Sequence, residues 1–81
     1  MDESLIRGLI AEHLAVPPDA VGDTALFQQD LGADSLDMVQ LSMLLESRLG
    51  IALDDEETER CLTIGDALRM LRSKCMERVD E

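Results

Sequence analysis

The residues with chemical potential gather in one short stretch, Asp30-Leu31-Gly32-Ala33-Asp34-Ser35-Leu36-Asp37. It sets a single hydroxyl among carboxylates. A serine nucleophile needs a base within hydrogen-bond reach. Ser35 has no His or Lys nearby in sequence, and no Gly-x-Ser-x-Gly surrounds it. The one histidine, His13, falls in an apolar pattern, where a packed or partly exposed core residue is the plainer reading. No catalytic residue is therefore expected. Asp30, Asp34 and Asp37 miss the calcium-loop spacing, which also requires a central Gly and a terminal Glu. No dedicated metal site is expected, although clustered carboxylates could hold a divalent ion weakly. Cys61 and Cys75 stand fourteen residues apart, which fits neither a redox pair nor a zinc knuckle. They read as reduced, small hydrophobes.

What remains for Ser35 is modification or plain structure. A serine just after a helix cap is exposed at the positive end of that helix, which favours a phosphate ester on its hydroxyl. Asp34 and Asp37 would repel the same phosphate, so an anchored group would reach away from the protein. Ordinary helix capping by Asp-Ser-x-Asp explains the same four residues and stays open at this point.

The chain has 81 residues, enough for one domain spanning 1–81 with a modest core. Its net charge is -11, and the segment from Asp19 to Asp66 holds twelve acids and two bases. Ten of the eleven net negative charges therefore lie in the middle of the chain. That sign argues against nucleic acid or an anionic membrane and for basic protein surfaces as partners. No apolar run approaches the roughly 20 residues of a membrane span. Asp2 and Glu3 stand where a signal peptide would be positive, so a cytoplasmic location is expected.

The elements that must position Ser35 follow from periodicity. Leu5, Ile6, Leu9, Ile10, His13 and Leu14 form an apolar stripe and predict a helix over 2–15, ended by Pro17 and Pro18. A long connection over 17–33 is pinned by Val21, Leu26, Phe27 and Leu31, with Phe27 as a loop anchor and Gly22-Asp23 and Gly32 as turns. A second helix is predicted from Ser35 to Leu49, capped by Asp34, answered by Asp37 and ended by Gly50. Leu41, Leu44, Leu45 and Leu49 share its face, and Leu36, Met38 and Met43 extend the apolar cover. Ile51-Ala52-Leu53 is extended, and the acidic run from Asp54 is either a short helix or a solvated loop. Thr63 and Asp66 cap a last helix whose inner face is Ile64, Ala67, Leu68, Leu71 and Cys75. Arg69, Arg72, Lys74 and Arg78 lie outside or toward its end. The expected fold is all-α, a small four-helix bundle of three main helices and one short one, up-and-down with a long first loop.

Phe27 through Leu41, centred on Asp34-Ser35-Leu36, closely resembles the attachment motif of acyl carrier proteins. The likeness extends to the leading helix, the anchored loop, Ile51 before the acidic run, and Thr63-Ile64-Gly65-Asp66-Ala67. It implies that a phosphopantetheinyl transferase using coenzyme A esterifies Ser35 with 4'-phosphopantetheine. Asp34 and Leu36 would flank that cofactor site. The arm would carry acyl groups as thioesters for fatty acid, polyketide or specialised lipid synthesis. Asp37, Met43, Glu46, Asp54, Asp55 and Glu56 would face basic patches on acyltransferase, ketosynthase or acyl-activating enzymes. The interior between the helices would shelter the chain, and a monomer is expected. Where fatty-acid-synthesis carriers usually bear acids, Gln40, Ser47 and Arg48 stand here. An aromatic commonly closes their second helix where Leu49 lies. These departures weaken the match to the usual partners of fatty acid synthesis and leave a dedicated pathway, polyketide or specialised lipid, open. The alternative from another class is an unmodified acidic helical adaptor for basic proteins.

Overall fold

The computed structural model describes residues 2–77, and over them the chain is helical: α1 is Glu3–Leu14, α2 Ser35–Leu49, α3 Asp55–Glu59 and α4 Ile64–Glu77. A 3-10 turn, Pro18–Ala20, interrupts the long connection. The described residues form no strand and one isolated β-bridge, Leu26 to Thr63. Arg78 lies outside the described residues.

Asp2 starts α1 by accepting the Leu5 N–H at 3.2 Å. The helix does not run up to the prolines. It closes at Ala15, which sits in the left-handed region at φ 58°, while Val16 N–H donates to the Ala11 carbonyl at 3.0 Å. A non-glycine residue there costs about 1–2 kcal/mol, and nothing in the structure explains alanine at this position. The prolines open the 3-10 turn instead. The buried face of α1 is Ile6, Leu9, Ile10 and Ala11. Leu5 is not part of it: at 53% exposure it lies one step around the helix, over the edge of the stripe. His13 is half-buried, with a shielded Nε2 that has no hydrogen-bond partner among the described residues.

The long connection behaves as a core element. It buries Val21, Phe27, Leu31 and Ala33, as many side chains as α1 does. Its backbone is stitched to the start of α4, where four N–H groups would otherwise lack partners. Thr63 donates to the Asp66 carboxylate at 3.2 Å, Ile64 to the Ala25 carbonyl at 3.0 Å, Gly65 to the Asp23 carbonyl at 2.9 Å and Asp66 to the Thr63 hydroxyl at 3.1 Å. Gly65 is needed there, because a Cβ would stand 3.0 Å from the Asp23 carbonyl oxygen. Arg7 clamps the far side, donating to the Val21 carbonyl at 2.7 Å and pairing with Asp23. The pair holds the Asp23 carboxyl below the usual range, chiefly through the Arg7 hydrogen bond.

The acidic run is a helix, α3, and it buries no side chain of its own. It is held from outside. Lys74 of α4 pairs with Glu57 at 2.9 Å, and Glu57 accepts the Asp54 N–H at 3.2 Å. The Lys74 hydrogen bond, followed by the one from Asp54, lowers the Glu57 carboxyl from its ordinary 4.5. A carboxyl lowered by folding stabilises the fold above its unfolded value and loses that contribution as pH falls through its folded value. Glu57→Gln should therefore lower the melting temperature at pH 7, and the gap to the unsubstituted protein should close as pH falls below about 4.5. Thermal melts across that range check this; a gap that stays constant would mean the charge is not what holds α3.

Candidate functional site

Ser35 is exposed as the first residue of α2, and its surroundings are built by short-range hydrogen bonds. Asp34 accepts the Asp37 N–H at 2.9 Å, and Asp37 accepts the Asp34 N–H at 3.2 Å, a capping box made of two carboxylates. Asp30 closes the preceding turn by accepting the Leu26 N–H at 2.8 Å. The three acids around Ser35 thus each hold backbone in place. Two approach the serine from a loop fixed by Phe27 and Ala33, whose N–H donates to the Phe27 carbonyl at 2.8 Å.

A groove of about 460 Å³ begins beside Ser35 and runs between α2, α3 and the loop. One wall is Ser35, Met38, Val39 and Ser42, and the other is Asp55, Thr58, Glu59 and Leu62. The first set follows positions i, i+3, i+4 and i+7 on one face of α2, while the second joins Asp55, Thr58 and Glu59 of α3 to Leu62 in the connection after it. Phe27 and Cys61 form the deeper lining. Burial pushes the Cys61 thiol up, so it stays protonated, with its sulfur near the Glu57 carbonyl. The lining contains no histidine, lysine or arginine. Its ionisable side chains are the Asp55 and Glu59 carboxylates and the Cys61 thiol.

The expected recognition residues are placed unevenly. Met43, Asp54, Asp55 and Glu56 are exposed, and Leu36 is exposed next to Ser35. Asp37 is half-buried in the capping box. Glu46 is half-buried as well, accepting the Leu53 N–H at 2.7 Å and so tying the α2–α3 linker. Val39, Ser42, Thr58 and Leu62 were not among the expected site residues. For Val39 and Ser42 a signal existed, because they stand at i+4 and i+7 from Ser35. Leu36, Val39 and Met43 form a second, exposed apolar stripe at i, i+3 and i+7 on α2. Among the described residues no group of His, Cys, Asp or Glu is arranged to hold a metal, and no helix is long and apolar enough to cross a membrane.

An exposed serine at a capped helix start with a groove beside it defines a small helical domain that presents one hydroxyl to its surroundings. Comparisons with known proteins cover most of the chain. Residues 4–71 match the family described as Phosphopantetheine attachment site (PP-binding). Acyl carrier proteins of Rhodopseudomonas palustris (strain TIE-1), Afipia carboxidovorans and Nitrobacter hamburgensis are each 46% identical over 66 residues, 82% of this chain and 84% of theirs. The chain belongs to the acyl carrier proteins, non-catalytic carriers that bear 4'-phosphopantetheine. Membership implies modification by a phosphopantetheinyl transferase and contact with biosynthetic enzymes.

Proposed function

We propose that Ser35 is the phosphopantetheine attachment point and that this domain, over 1–81, delivers acyl groups in a dedicated biosynthetic pathway. The observation that carries the assignment is the position of Ser35: exposed, first in α2 and at the mouth of the groove. The residues present suit the group. The α2 N-terminus favours a phosphate ester on the serine, while the Asp34 and Asp37 carboxylates beside it turn the arm outward. When bound, the arm supplies a thiol that holds acyl groups as thioesters.

Partner docking is assigned to α2 and α3. Leu36, Val39 and Met43 offer apolar contact, and Asp37, Glu46, Asp54, Asp55 and Glu56 supply negative charge for basic patches on a transferase, an acyltransferase, a ketosynthase or an acyl-activating enzyme. Gln40, Ser47 and Arg48 weaken that charge along α2, which favours partners other than those of general fatty acid synthesis. A monomer acting in the cytoplasm fits the high charge and the absence of a long apolar helix among the described residues.

Co-expression with a broad-range phosphopantetheinyl transferase, followed by intact mass measurement, tests the assignment. The expected result is a gain of one phosphopantetheine, lost entirely in Ser35→Ala. No gain in the unsubstituted protein would leave the acidic adaptor as the better account. A gain that survives Ser35→Ala would move the attachment elsewhere.

A further inference from the structure

Two hydroxyls that line the groove meet between α2 and α3. Ser42 Oγ of α2 and Thr58 Oγ1 of α3 lie 2.9 Å apart and join the two helices. Both residues also line a second, inner void of about 20 Å³, bordered by Leu41, Leu45 and Met70. Phe27, Met38 and Cys61 are the other side chains common to both spaces. Among the five residues common to both spaces the hydroxyl pair is the polar spot, since the protonated Cys61 thiol is a weak donor.

The pair has a hydrogen to spare. Ser42 Oγ can donate to the Met38 carbonyl at 3.0 Å, and Thr58 Oγ1 to the Asp54 carbonyl at 3.2 Å, or either hydroxyl to the other. The Asp54 carbonyl already accepts the Thr58 N–H at 3.1 Å. One hydroxyl can thus turn toward a guest without leaving a backbone group bare. A guest oxygen buried among Phe27, Met38 and Cys61 would otherwise lose its hydrogen bonds to water uncompensated. A methylene chain gains nothing from the pair.

Resting on the carrier function assigned above, we propose that Ser42 and Thr58 read the cargo, so that the groove favours acyl chains bearing a keto or hydroxyl oxygen over saturated chains of equal length. The full chain is loaded by a phosphopantetheinyl transferase from octanoyl-, β-hydroxyoctanoyl- and β-ketooctanoyl-coenzyme A. Intact mass reports loading, and failure to load counts against Ser35 alone. Shelter is the rate of hydroxylamine cleavage of each loaded thioester relative to the same coenzyme A thioester free in solution.

Oxygenated chains should be sheltered about 3–10-fold better than octanoyl, and their loaded forms should melt at a higher temperature. Combining Ser42→Ala with Thr58→Val should bring the chains within about twofold of each other. If that pair fails to fold, Thr58→Ala alone should reduce the preference. Equal shelter and equal melting of all three loaded forms would overturn the proposal, as would a preference that persists in the folded variants.

Discussion

Leu45→Arg should unfold the domain, while Met43→Arg, two residues earlier on the same helix, should leave it folded. Sequence periodicity sets both on or beside the apolar face of α2, and the structure separates them: Leu45 is 4% exposed and Met43 is 61% exposed. Leu45 packs in the core and borders the inner void. A guanidinium at that position would be a buried charge without a partner, which costs several kcal/mol even after relaxation. The leucine packing is lost as well, about 2–5 kcal/mol by comparison with truncations. An 81-residue domain has only about 4–12 kcal/mol to lose. Circular dichroism melts should show no cooperative transition for Leu45→Arg and a midpoint within about 4 °C of the unsubstituted protein for Met43→Arg. A cooperative Leu45→Arg melt near the original midpoint would contradict its burial. Met43→Arg also probes the docking stripe, since it should slow pantetheinylation or acylation with the fold intact.

The parts of the molecule that were legible in the sequence are those determined locally. Asp34 and Asp37 stand three residues apart ahead of an apolar run, and Gly50 follows it, so α2 and its exposed first serine could be read directly. Thr63 and Asp66 mark α4 in the same way. What could not be read depends on contacts between distant segments. Nothing in the sequence around Asp23 or Ala25 indicates that their carbonyls satisfy the first N–H groups of α4. Whether the acidic run folds turns on Lys74 and Ser42, which reach it from other helices. That the Glu46 carboxylate also accepts the Leu53 N–H and so ties the α2–α3 linker is likewise invisible in the sequence. Ala15 gives no sequence signal for the left-handed closure of α1, because glycine is the residue that normally marks it.

Phe27→Ala should lower the melting temperature by about 15–30 °C, from a loss of about 3–5 kcal/mol in a domain of this size. Phe27 is the one aromatic residue of the chain and is 2% exposed. It anchors the long connection through backbone as well as ring, since its N–H donates to the Leu62 carbonyl at 3.0 Å. The Phe27 carbonyl accepts the N–H of Ala33, the residue before the α2 cap, so the ring and the approach to Ser35 are mechanically linked. Removing the ring also opens the floor shared by the groove and the inner void. The variant should therefore be modified at Ser35 more slowly by the transferase, even at temperatures where it is folded. Phe27→Leu refills most of the space and should cost about 1.5 kcal/mol or less, with modification near the original rate. Melting curves and a time course of intact mass distinguish these outcomes. If the alanine variant melts within a few degrees of the original, the connection is not the core element its burial indicates. If it melts low yet is modified at full speed once folded, the capping box alone positions Ser35.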